Sequence, residues 1–258
     1  MTKREKAYNK MLQELIDKVG RLDDRAVKKV VTMLEQAQKE IAAQVAMTDW
    51  QAYQIPQLKE AVQNAIDGFK QQYLAGQNEA LTDSWHAGID LVDHPLATAG
   101  ISLRAPQLSR SVLEIMQGYS ADLIKGLSAD AIKKINNEIT MGIMGQKSSF
   151  EVMKTIGRNF EDKSILTGIS NRAETITRTE MARVQSAARA GRINSVAAYG
   201  TDPELKWKKK WISSGKAHPR AWHAALDNVI VDVDEDFPGG IPYPHAPGLP
   251  AEEVINCG

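Results

Sequence analysis

Residues 174–192 read E-T-I-T-R-T-E-M-A-R-V-Q-S-A-A-R-A-G-R, and residues 206–228 read K-W-K-K-K-W-I-S-S-G-K-A-H-P-R-A-W-H-A-A-L-D-N. The period of the chain changes between them. The first stretch belongs to a long helix spanning 171 to about 198, with a thin apolar line through Ala173, Ile176, Val184, Ala188, Ile193 and Val196. The second opens with alternation: Trp207, Lys209 and Trp211 share one face, and Lys206, Lys208 and Lys210 share the other. Val229-Ile230-Val231-Asp232-Val233 is the strongest strand signal in the chain. Five of the ten prolines then fall between Pro238 and Pro250, which predicts an ordered loop or an extended arm.

Upstream, the reading is helical throughout. Tyr8, Met11, Leu12, Leu15 and Val19 form one stripe, and Val27, Val30, Leu34, Ile41 and Val45 form a second, with Asp23 or Asp24 as its cap. Pro56 suits the first turn of a third helix through Leu58, Val62, Ile66, Phe69 and Tyr73, which Gly76 is expected to stop. Leu81, Trp85, Ile89 and Val92 make a fourth, ended by Asp93-His94-Pro95. Residues 93–107 read as a loop. Val112, Leu113, Met116 and Tyr119 carry the next helix. Ser128 is expected to cap another that ends at Gly145, and Ser148 a short one through Ile156. The fold class is therefore mainly α with a C-terminal α+β module, divided as 1–105, 106–169 and 170–258.

Composition sets the outer bounds. The chain has 258 residues, ordinary globular hydrophobicity at 43%, and a formal net charge of zero, so contact with an anionic surface must come from a local patch. One cysteine, Cys257, excludes an internal disulfide. The N-terminal M-T-K-R-E-K-A has no apolar core behind it, and no run is apolar enough to span a bilayer. The expectation is a soluble protein of a cell interior or of a particle assembled there, without membrane contact.

Three constellations could carry chemistry. The arginine helix holds Arg172, Arg178, Arg183, Arg189 and Arg192 against Glu174 and Glu180, a local charge of plus five minus two, or plus three. Arg178 and Arg189, eleven apart, fall almost on one line, and Arg192 follows three residues on. Two readings stand: a basic ridge facing phosphate or an acidic partner, or a solvated helix with local ion pairs. Glu180 reads first as the group that holds an arginine in place, and second as a general base. The lysine row Lys206, Lys208 and Lys210 tracks a nucleic-acid backbone in one reading and guards an edge strand in the other. The third constellation is H-P-R-A-W-H-A-A-L-D. His218, His223, His245 and Cys257 match no metal motif, so neither a metal nor a cofactor is expected. His223 and Asp227 are i,i+4, the spacing of a structurally satisfied histidine. A hydrolase using His218, His223, Asp227 and Glu180 is the enzymatic alternative. The absence of a nucleophile elbow, a phosphate loop or a zinc helix weighs against it, so no enzyme is expected.

Taken in order, T-I-T-R-T-E, A-x-x-A-G-R, the K-x-W strand, H-P-R-x-x-H-x-x-L-D and L-P-A-E-E-V-I-N-C resemble the phage Mu F-like head morphogenesis proteins over about 170–258. The motif positions of the resemblance are Glu180, Trp207, His218, Arg220, His223, Asp227 and Cys257. The family implies a minor structural component of a tailed-phage head, acting in prohead assembly near the portal vertex inside the capsid and assembled in the host cytoplasm. Its implied partners are the portal protein, the major capsid or scaffolding protein, and, weakly, the packaged double-stranded DNA. Arg178, Arg183, Arg189, Arg192, Lys206, Lys208 and Lys210 are then the candidate DNA or partner contacts. A nucleic-acid-binding module with no particle role is the other alternative. The sequence departs from the family at S-G-K-A-H-P-R, where an R-T-R-like pair is usual. It departs again at Asn228, where glycine is usual, and at the end, which lacks the second cysteine of N-C-R-C.

Overall fold

The computed structural model describes residues 1–48, 50, 54–157, 163–199, 206–212 and 221–250. Among them run six α-helices and two short strands: α1 (Lys3–Met47), α2 (Ile55–Thr98), α3 (Ser111–Ile143), α4 (Ser149–Ile156), α5 (Ile165–Ala198), β1 (Lys208–Lys210), α6 (Ala221–Leu226) and β2 (Ile230–Asp232). The mainly helical class with a small C-terminal sheet is as the periodicity predicts.

The helices are fewer and longer than expected. Asp23 and Asp24 lie inside α1, Gly76 inside α2 and Ser128 inside α3, so none of the three breaks its helix. A mid-helix Gly, Asp or Ser costs about 1 kcal/mol or less, which burial of the flanking apolar stripe outweighs. Ser128 is itself 1% exposed. Residues 93–98, expected in a loop, form the last turn of α2. Pro95 is tolerated there, and the chain leaves the helix through Gly100 at φ 82. Two expected caps are present. Ser148 accepts from the Glu151 backbone N–H, and the Glu151 carboxylate accepts from the Ser148 backbone at 2.7 Å, which closes a capping box. Gly145, at φ 69, ends the helix before it. α5 starts at Ile165, six residues earlier than read from the sequence, with the Ser164 hydroxyl accepting from the Thr167 N–H at 3.2 Å.

The chain divides into two compact units that interleave along the sequence: residues 24–79 with 117–177, and residues 1–23, 80–116 and 178–258. The first has a continuous apolar core that includes Leu34, Ile41, Val62, Ile66, Tyr73, Ile124, Ile135, Ile139, Val152 and Leu166. Two buried polar side chains tie its elements together: the Tyr73 hydroxyl donates to the Ala173 carbonyl at 2.8 Å, and the Gln38 amide donates to the Gly157 carbonyl at 2.8 Å.

In the second unit, Leu12, Leu15 and Leu91 are buried together with Tyr8, Met11 and Val19 against them. α2 meets α5 there at Gly88. A Cβ on Gly88 would lie 2.4 Å from the Gln185 carbonyl oxygen and 2.9 Å from the Ala188 Cβ, so only glycine permits this approach. A second cluster holds the C-terminal module: Trp211, Leu226, Phe237 and Ile241 are buried, with Trp222, Val229, Val231 and Leu249 packed on them. β1 and β2 pair antiparallel in the register Lys208 to Asp232, Lys209 to Val231 and Lys210 to Ile230. The strand expected over 229–233 is thus three residues long, and Ile230 turns out to solvent at 56% exposure instead of joining the core.

Candidate functional site

α5 passes from the first unit to the second at Arg178, and its arginines do not form one ridge. Arg178 is exposed. Arg183 donates to Glu180 at 2.9 Å, one turn away. Glu180 is 2% exposed, and burial raises its carboxyl pKa against the opposing pull of Arg183. That pairing is the structural role favoured for Glu180. Its second carboxylate oxygen has no hydrogen-bond partner among the described residues.

Arg192 corrects the ridge outright, because it is buried at 6% exposure. Its Nε donates to Asp93 at 2.6 Å, and its Nη1 donates to the carbonyls of Pro106 at 2.7 Å and Ala105 at 3.3 Å. The guanidinium is consumed in fixing the segment between α2 and α3, so it cannot face a phosphate at the surface.

Arg189 differs from both. It is half-buried, and no carboxylate partner is recorded for it among the described residues. Removal of its guanidinium from water lowers its pKa, with the Tyr8 phenol acting in the opposite sense. It lines a cleft of about 730 Å³. One wall of the cleft is the α5 face of Ser186, Arg189, Ile193 and Asn194, and the other is the β1–β2 module with Trp207, Tyr243 and Phe237. This volume is in the range of ligand-binding clefts, and aromatic rings share its walls with charged side chains of both signs.

The lysine strand follows the predicted alternation. Lys206, Lys208 and Lys210 are exposed, Trp207 and Lys209 are half-buried, and Trp211 is buried. Lys208 is engaged across the strands with Asp232 at 3.0 Å. Lys209 turns inward, donates to the Pro242 carbonyl at 3.0 Å, and lies 5.3 Å from the Phe237 ring centroid. Trp211 meets the Phe237 ring edge-on, with centroids 5.1 Å apart. The acidic stretch after β2 supplies Asp234 and Asp236, both exposed, to the lining of the cleft, which also includes the exposed Lys206 and Lys210.

His223 lies on α6, 8% exposed, with its ring 4.0 Å from Trp222 and 6.3 Å from Trp211. Asp227 follows the end of α6, is exposed, and accepts from the Asn228 side-chain amide at 2.7 Å. Asn228 takes the left-handed conformation at φ 64, which is why asparagine serves where glycine is usual. His218, Arg220 and Cys257 lie outside the described residues. Among the described residues, no group of three His, Cys, Asp or Glu side chains is placed to hold a metal. The cleft at Arg189 has no signal in the sequence beyond the arginine itself, because its second wall comes from strands far along the chain.

These elements define a helical protein whose C-terminal α+β module carries an aromatic, mixed-charge cleft against α5. The family model described as Phage Mu protein F like protein matches residues 133–257, so this part of the chain is similar to that family. The match begins well before the expected boundary near 170 and takes in the end of α3, all of α4 and α5, and the module. The family is one of phage head morphogenesis proteins, structural in kind. The chain is 26% identical over 206 residues to the uncharacterized protein YqbB of Bacillus subtilis (strain 168), a match that covers 77% of this chain and 59% of that protein. It is 31% identical over 130 residues to the NAD(+)--arginine ADP-ribosyltransferase EFV of Enterococcus faecalis (strain ATCC 700802 / V583), over 48% of this chain and 24% of that protein. The chain thus spans less than two thirds of the length of either relative. No solved structure matches it. Among the described residues, no helix is long and apolar enough to cross a membrane.

Proposed function

We propose that the protein is a minor component of a tailed-phage head that acts in prohead assembly at the portal vertex, inside the capsid. The observation that carries this is the family match over 133–257, which includes the long α5 and the module built on it. The polar side chains of the module support it. Arg192, Glu180, Arg183 and Lys209 are spent on holding elements in place, as a docking part requires. The portal is the proposed partner, with the major capsid or scaffolding protein as further contacts. Packaged DNA is a weak contact through Arg178, Lys206 and Lys210. Co-expression with the portal protein of the same phage tests this. The proposal expects the chain to co-purify with ring-shaped portal assemblies, and a portal that assembles and purifies without it counts against the reading.

The likeness to the arginine ADP-ribosyltransferase gives an enzymatic reading one observation. We infer that the shared part is the Mu F-like module and that the transferase activity stays with the larger protein. Incubation of this chain with NAD and an arginine-rich acceptor should then yield no ADP-ribosyl product, whereas a labelled acceptor would restore the enzyme.

A further inference from the structure

The cleft beside Arg189 goes beyond a general docking role. A guanidinium withdrawn from water is normally compensated by a carboxylate, as Arg192 is by Asp93 and Arg183 by Glu180 on the same helix. Arg189 faces the cleft with no such group recorded among the described residues. Its planar fork suits a carboxylate or a phosphate. Beside it on the α5 wall stand the Ser186 hydroxyl and the Asn194 amide, which can share an anion's remaining lone pairs. The opposite wall sets Trp207, Tyr243 and Pro242 among the lysines of β1 and the aspartates of β2 and the stretch after it.

The charge of the lining decides between the two anions. Arg189, Lys206, Lys209 and Lys210 share it with Asp232, Asp234 and Asp236, four cations against three carboxylates, and Lys209 is already engaged by the Pro242 carbonyl. A nucleic-acid backbone, with a charge at every phosphate, finds no run of free cations to match it there. A slender segment with one carboxylate and apolar or proline neighbours suits that near balance, and its other side chains fit the aromatic wall.

We infer that the cleft between α5 and the β1–β2 module is a docking site for an extended protein segment that delivers a single carboxylate to Arg189. The assembly reading supplies the source of that segment, another protein of the particle; the chemistry of the cleft stands without it. Arg189 is therefore a recognition residue, and Trp207 reports occupancy because it forms part of the wall.

Two displayed libraries of short random peptides, one with a fixed central Glu and one with Gln there, are selected on the full chain. The Glu library should yield binders enriched in apolar or proline flanks, and the Gln library should yield none. Binding of the selected peptides should perturb the Trp207 indole N–H signal. It should weaken at least about thirtyfold in Arg189→Gln, the consequence of removing one partner of a desolvated charge pair. The Glu-to-Gln exchange in the peptide tests the same contact on the unaltered protein, so a poorly folded variant does not block the result. Equal enrichment of both libraries, enrichment of neither, or full binding by a folded Arg189→Gln chain overturns the proposal. An oligo-dT strand that binds more tightly than any selected peptide and depends on Arg189 would overturn it in favour of nucleic acid. Because the libraries contain no particle protein, failure here leaves the portal co-purification result untouched, and the reverse also holds.

Discussion

Gly88 and Gly68 sit on the same helix, and the structure assigns them opposite responses to the same substitution. Alanine at either position gains helix propensity worth about 1 kcal/mol. At Gly68, which is exposed, an added Cβ meets nothing within 4 Å, so that gain should appear undiminished. At Gly88 the Cβ would stand 2.4 Å from the Gln185 carbonyl oxygen, 2.9 Å from the Ala188 Cβ and 3.2 Å from the Arg189 nitrogen. Two of these atoms are backbone and cannot rotate away. Restoring ordinary contact at 3.4 Å or more requires α2 and α5 to part locally by up to about 1 Å. Overpacking of this kind costs about 1–3 kcal/mol, which leaves Gly88→Ala up to about 2 kcal/mol less stable after the propensity gain. In a chain of this size that corresponds to a melting temperature lower by up to about 8 °C, against a rise of about 2–4 °C for Gly68→Ala. Thermal melting followed by circular dichroism reads both. Gly88→Ala at or above the wild-type midpoint would refute the close approach of α2 to α5, and with it the placement of Arg189.

Trp211→Ala removes the centre of the C-terminal cluster and its edge contact with Phe237, and should cost about 3–5 kcal/mol, seen as loss of the module's tertiary signal; an unchanged melt would place Trp211 outside the core. Replacing Lys206 and Lys210 by Gln should flatten the salt dependence of duplex-DNA binding by about 0.9 per lost phosphate contact, without changing the fold. The same exchange at Lys208 should matter less, because Asp232 already engages it, and an equal effect from all three would contradict that pairing. Burial raises the Glu180 pKa above its ordinary 4.5, so the folded protein holds that proton more tightly than the unfolded chain does. The stability linked to this proton is present in full below 4.5 and is lost as pH rises through the folded value. Glu180→Gln should abolish that slope in denaturant titrations across mildly acidic pH, and an unchanged slope would assign it to another group.

The apolar stripes were legible because burial repeats at helical spacing: Val30, Leu34, Ile41 and Val45 are all core, as are Val62, Ile66, Phe69 and Tyr73. The inner and outer faces of 206–211 followed from period two alone. Helix ends were less legible. Gly76 and Ser128 carry stop and start chemistry, yet each lies where the apolar stripe continues on both sides, and a local preference of about 1 kcal/mol yields to packing. The stripe proposed for 112–119 shows the converse, since Leu113 is buried while Val112 and Tyr119 are exposed. The arginines show the limit of helical geometry. Eleven-residue spacing places Arg178 and Arg189 on one line along α5, but what each meets depends on segments distant in sequence. Arg192 finds Asp93 and the Ala105–Pro106 carbonyls, and Arg189 finds the module. No spacing within the helix could have distinguished them.

Quantitative mass spectrometry of purified proheads and mature heads, from a phage carrying this gene, tests the central claim most directly. The account predicts that the protein is present in proheads at low copy relative to the major capsid protein, and in an amount that scales with the portal protein. Its absence from both particles would contradict the account.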